Sequence, residues 1–155
     1  MDVNSSRNHY RGFTLIELVS VLLILGIVGS GIMLRWAPGD QSLAAQADLL
    51  ARSLRHAQAM AMARGVALTL DVQSANSYAI TDGTTAVSDY TNQVQNFVLD
   101  NGVTLSGPDQ VFDSLGRPLN GTGLLATSRS WTLSGESATA TVQLQPLTGF
   151  VTVTP

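Results

Sequence analysis

Arg11-Gly12-Phe13-Thr14-Leu15-Ile16-Glu17-Leu18 opens the stretch that decides how this chain is organised. Residues 13–34 read FTLIELVSVLLILGIVGSGIML. An apolar helix of roughly 20 residues, rising ~1.5 Å per residue, spans the ~30 Å hydrocarbon core of a bilayer. Arg7 and Arg11 precede the run and Arg35 follows it. That bias keeps the short N-terminal arm in the cytoplasm and exports the remainder. Gly29, Ser30 and Gly31 offer the small-x-small site of an ordinary secretory signal, whose apolar region would be shorter. Glu17 argues against that reading. A carboxylate inside a membrane-length helix carries a penalty of ~2.5 to 3.5 kcal/mol at the centre and less near the ends, so it calls for a partner.

The octapeptide resembles the processing signal of type IV pilins and type II secretion pseudopilins. The resemblance implies that a prepilin peptidase cuts after Gly12 and methylates the new N-terminal residue, Phe13. Residues 1–12 are then a leader peptide, and residues 13–35 are kept as a transmembrane helix that later forms filament core. The resemblance also carries Glu17 over as the fifth mature residue, paired with the N-terminal amine of a neighbouring subunit, and places Thr14 with it in subunit assembly. The physics agrees: an unpaired ammonium and an unpaired carboxylate are both costly in a low-dielectric core, so their pairing selects one axial register.

Working outward, Arg35-Trp36-Ala37-Pro38-Gly39-Asp40 joins interfacial residues to a Pro-Gly pair, which predicts a membrane exit and a helix break or kink. Residues 36–155 are expected to form an exported head. Within it Leu43, Ala47, Leu50, Leu54, Ala57 and Ala61 recur at steps of four and three, predicting an amphipathic helix over residues 41–64 packed on the protein's own sheet, with Gly65 as C-cap. Arg52, Arg55, His56 and Arg64 read as a solvated face able to touch neighbouring subunits.

Residues 66–155 are β-rich. Alternation predicts strands over residues 66–72, 78–81, 97–99, 103–105, 111–112, 130–133, 139–145 and 150–154, with a looser stretch at 84–96. Asp100-Asn101-Gly102 predicts a hairpin between the third and fourth of these. A long helix followed by an antiparallel meander is an α+β arrangement, and it resembles the pilin fold. Three later stretches, AQAMAMARG at 57–65, VFDSLGRP at 111–118 and LTGFVTV at 147–153, resemble GspH/FimT-type minor pilin-like proteins, a group whose features a minor subunit of the mannose-sensitive haemagglutinin type of pilus would share.

Composition removes several function classes. The chain of 155 residues has no cysteine, hence no disulfide, thiolate metal site or cysteine nucleophile. Many major type IV pilins close their C-terminal region with a disulfide, so its lack favours a minor or pseudopilin subunit. All eight basic residues are arginines without a run, and at 6% the aromatics are few, so nucleic acid is not an expected partner. His9 and His56 are the only neutral-pH bases, and His9 lies in the leader. Gly121-Thr122-Gly123-Leu124-Leu125-Ala126 matches a degenerate dinucleotide fingerprint but lacks a βαβ setting and reads as a loop. Asp100, Asp109 and Asp113 lack the tight spacing of a calcium loop. No catalytic residue, cofactor or metal is expected.

Three functions follow. The first is a structural subunit of a type II secretion pseudopilus, with a minor pilin of a type IV pilus as the alternative. It would sit single-pass in the inner membrane, head in the periplasm, and its partners would be the prepilin peptidase, other pilin-like subunits and the inner-membrane assembly platform. The second is a membrane-tethered module binding through residues 84–95 and 106–110. The third is a periplasmic enzyme with an unusual signal peptide.

Overall fold

The computed structural model describes residues 14–33, 38–89, 91–99 and 102–154. Contacts divide the chain into two compact units, Met1–Trp36 and Ala37–Pro155. The first contains helix α1, Leu15–Met33. The second contains helix α2, Pro38–Arg64, and all of the β-structure.

Helix α2 runs from Pro38, three residues before its expected boundary. Proline suits a first helical turn, where its φ is already set and its missing N–H has no intrahelical acceptor. The helix ends as its sequence predicts. Gly65 takes a φ of 67°, and its N–H donates to the Ala61 carbonyl at 2.9 Å. The stripe Leu43, Ala47, Leu50, Leu54, Ala57 and Ala61 is buried throughout, and Ala51, Ser53 and Met60 widen it. So many alanines on one face let the helix lie close against the sheets.

The β-structure forms two antiparallel sheets where a single meander was expected. One contains β1 (Leu68–Ser74), β2 (Ser77–Thr81), β3 (Asn96–Val98), β5 (Gln110–Phe112), β6 (Pro118–Asn120) and β7 (Gly123–Leu124), in the order β3-β2-β1-β5-β6-β7. The other contains β4 (Thr104–Ser106), β8 (Arg129–Ser134), β9 (Thr139–Leu144) and β10 (Val151–Thr154), in the order β10-β9-β8-β4. Leu68, Leu70, Ile80 and Phe112 from the first sheet and Trp131, Leu133, Val142 and Leu144 from the second share one core with the α2 stripe. Trp131 is fully buried, and its Nε1 donates to the Pro108 carbonyl at 2.8 Å. A Cβ on Gly107 would collide with the Trp131 ring, so a side chain there would displace the indole.

The expected hairpin between residues 97–99 and 103–105 does not form. Strand β3 pairs with β2, bringing Phe97 opposite Tyr78, whereas β4 pairs with β8, bringing Leu105 opposite Leu133. The chain passes between sheets at the tip of the β1–β2 hairpin, where the N–H groups of Leu99 and Leu105 donate to the Asn76 and Ala75 carbonyls at 2.8 and 2.6 Å. The apolar residues of this passage, Leu99, Val103 and Leu105, are all buried. Long-range burial outweighs a local turn signal here. Asp100 and Asn101 lie outside the described residues.

Candidate assembly helix

Helix α1 begins with a cap. The N–H of Glu17 lies 3.3 Å from Thr14 Oγ1 and 3.1 Å from the Thr14 carbonyl, which also accepts from Leu18 N at 3.2 Å. Thr14-x-x-Glu17 has the spacing of a capping box, in which the threonine hydroxyl satisfies a first-turn N–H and fixes where the helix starts. Thr14 thereby sets Glu17 in the first turn, where the helix dipole favours a negative charge. Ser20, the next polar side chain, turns back to the Ile16 carbonyl at 2.7 Å.

Beyond the cap no face of α1 is buried. Residues 14–27 are all exposed, and the large apolar side chains among them range from 46% at Val21 to 81% at Leu15. A helix apolar on every side is stable only when something outside it removes that surface from water. Its side chains are described only as far as Ile27. Among the described residues no helix is long and apolar enough to cross a membrane.

The head has a different surface. Arg55 Nη2 donates to the Val151 carbonyl at 2.9 Å, and Arg64 donates to the Ser88 carbonyl. Gln58 Nε2 bridges the Gly116 and Thr148 carbonyls at 2.8 and 3.0 Å, holding two turns against α2. Gly116, at φ 75°, could not carry a Cβ without meeting the Met62 side chain at 2.7 Å. Asp113 accepts from the N–H of Arg117 and pairs with its guanidinium at 2.7 Å. Slight burial pushes the Asp113 carboxyl up, but the bonds from Arg117 and Leu115 outweigh it and hold the group below its ordinary range. Hydrogen bonds from Thr85 and Thr84 likewise lower Asp82, and those from Thr91 and Gln93 lower Asp89. These two acids hold Thr84, Thr85, Thr91 and Gln93, within the stretch that reads as loose in the sequence. Ser53 Oγ lies 3.2 Å from the Tyr78 hydroxyl, whose burial raises its pKa to about 12, the Ser53 bond opposing the shift.

A shallow cavity of about 360 Å³ opens beside α2, lined by Leu49, Arg52, Ser53, His56, Gln95 and Phe97. The four α2 cations are thus not one solvated face: Arg55 and Arg64 tie the helix to the β-structure, whereas Arg52 and His56 border this cavity.

Residues 7–33 match the family described as the prokaryotic N-terminal methylation motif. The fold resembles the crystal structure of the type IV minor pilin FimU of Pseudomonas aeruginosa, with a TM-score of 0.53, 13% identity, and coverage of 75% of this chain and 90% of that one. The chain carries this N-terminal methylation motif, and its fold is pilin-like. Comparison with curated protein sequences finds no match.

For a pilin-like chain the placement of the expected site residues divides cleanly. Thr14 and Glu17 meet through the backbone cap, while Gly12, Phe13, the rest of the leader and the junction at residues 34–37 lie outside the described residues. Of the stretch 121–126 that reads as a loop, Gly121 and Thr122 form the turn between β6 and β7, whereas Gly123 and Leu124 are β7 itself. Among the described residues no three His, Cys, Asp or Glu side chains gather to hold a metal ion. Asp109 instead accepts from Val72 N at 2.9 Å. The cap was signalled by the Thr-x-x-Glu spacing. The Gln58 bridge and the Ser53–Tyr78 contact join residues 25 to 90 positions apart and had no local signal.

Proposed function

We propose that this chain is a minor, non-enzymatic subunit of a filament of the type IV pilus and type II secretion class. The observation that carries the reading is α1, an apolar helix exposed on every described side and headed by one capped acidic turn. The prepilin peptidase removes residues 1–12 after Gly12 and methylates Phe13. Residues 13–35 then cross the inner membrane once, with the amino end cytoplasmic and the head periplasmic. The sequence supports this span: an apolar run of roughly 20 residues, 13–34, would rise about 30 Å as a helix, the thickness of the hydrocarbon core. With the assembly platform and other pilin-like subunits as partners, the helix exchanges lipid for neighbouring helices.

In that packed core Glu17 meets the amine of the adjacent subunit's first residue. The amine and the carboxylate remove each other's desolvation penalty only in one register, so the pair fixes axial position more than it adds stability. The pseudopilus of type II secretion and the type IV pilus both use this logic. The similar solved structure is a type IV minor pilin, which supports the second filament as a reading of equal standing.

Two measurements test the proposal. N-terminal sequencing and mass of the mature protein should give a start at methylated Phe13, whereas a start after Gly31 would mean an ordinary exported protein. Glu17→Ala should leave cleavage intact and lower incorporation into filaments or initiation complexes at least tenfold. Wild-type incorporation would exclude the pairing mechanism.

A further inference from the structure

Arg52 stands apart from the other described arginines. Arg55 and Arg64 donate to backbone carbonyls, Arg117 pairs with Asp113, and Arg129 reaches the Asp109 carbonyl, Gln110 Oε1 and Asn120 Oδ1. Among the described residues Arg52 has neither a hydrogen-bond nor an ion-pair partner, so its planar donor fork remains uncommitted. It borders the cavity beside α2, one helical turn before His56. His56 lies close enough to Asp89 to help lower that carboxyl, whereas the acid nearest Arg52 on its own helix, Asp48 one turn before it, forms no ion pair with it.

The cavity is rigid before anything enters it. Ser53 and Tyr78 are joined by their hydroxyls, and the Tyr78 ring stacks on Phe97 at 5.0 Å and 20°. Gln95 is fixed through its backbone, donating to the Val87 carbonyl and accepting from Ile80 N, each at 2.9 Å, while its side chain donates to the Gln93 carbonyl at 3.1 Å. Leu49 and Phe97 add apolar walls. A guanidinium at the rim of a preformed, partly apolar recess matches a carboxylate on a short apolar stem, the chemistry of a glutamate or aspartate on a protruding loop.

We infer that this recess docks an acidic loop of a neighbouring pilin-like subunit, with Arg52 as the anchoring cation. The inference rests on the filament-subunit reading and deepens it by naming a contact made by the head. Charge complementarity selects the occupant. The chain has 11 acidic residues against 8 basic ones, and among the described residues Glu136, on the turn joining β8 to β9, is an exposed carboxylate without a hydrogen-bond or ion-pair partner. A subunit of this kind presents the group that Arg52 lacks.

The test uses the full-length chain in the membranes of its own cells, with a photo-crosslinking residue at Leu49. Crosslinks to another pilin-like subunit, this chain included, are expected, and Arg52→Glu should reduce their yield about tenfold while Arg52→Lys retains part of it. Cleavage after Gly12 and membrane abundance, followed in the same samples, should not change. Undiminished crosslinking in Arg52→Glu, crosslinking only to an exported protein, or no crosslink to a subunit would each overturn the inference. Failure of the subunit reading itself would appear separately, as a mature N-terminus other than Phe13.

Discussion

Helices α1 and α2 follow one another in the chain and meet opposite fates. The described apolar side chains of α1 are exposed on all sides, whereas the α2 stripe from Leu43 to Ala61 is at most 4% exposed. Apolar residues in α2 are confined to one face, and β1, β5, β8, β9 and β10 of the same chain supply most of the surface that covers it. In α1 they occupy every face, so no single sheet could cover them all. The distribution of apolar residues around a helix, more than their number, separates a helix that completes its own domain from one whose partner must come from outside.

The sharpest way to break that comparison is to remove one large side chain from each region. Trp131→Ala empties a fully buried site and should destabilise the head by about 3–5 kcal/mol, whereas Leu22→Ala should leave head stability within about 0.5 kcal/mol. Chemical denaturation of the full chain in detergent micelles, followed by head fluorescence or circular dichroism, measures both. A Leu22→Ala loss matching that of Trp131→Ala would mean that the two units depend on each other.

A second experiment uses the group with the largest shift among the described residues. Tyr78 rises from 10.0 to about 12, so its neutral form is favoured by folding. Its contribution is complete below pH 10, declines as pH rises past 10, and is gone above about 12, a change of about 2–3 kcal/mol. Stability measured across that interval should fall in the wild type and fall less steeply in Tyr78→Phe. Equal slopes would mean that some other group drives alkaline unfolding.

The smallest effect lies at the start of α1. Thr14→Ala removes the hydroxyl cap and should weaken the first turn by about 1 kcal/mol. Amide exchange at residues 16–18 in micelles should then accelerate about fivefold, with exchange in the head unchanged. Unaltered exchange in the first turn would show that the cap does not set where the helix begins.

Legibility in the sequence followed the range of the interaction. The α2 stripe, its glycine stop and the strands around Leu70, Ile80, Trp131 and Val142 are all periodic or short-range, and the structure bears each of them out. The turn signal at residues 100–102 was local too, yet it misled. It encodes a change of direction but not which strand the chain pairs with next, and Leu105 found its partner in Leu133. The polar surface of α2 was unreadable for the same reason: nothing near Arg52 or Arg55 in sequence shows that one faces an open recess and the other a carbonyl of β10.

The sequence by itself determined the match to the N-terminal methylation motif, the apolar helix within it, the single acidic residue in that helix, and the amphipathic helix that opens the head. All of these are written in residue type and spacing within a few turns of chain. Tertiary structure alone decided that the strands divide into two sheets, that Gln58 clasps two distant turns, and that Arg52 borders a recess with no hydrogen-bond or ion-pair partner among the described residues. Those outcomes depend on which surfaces meet after residues far apart are brought together, and burial and hydrogen-bond satisfaction settle that only for the whole domain at once.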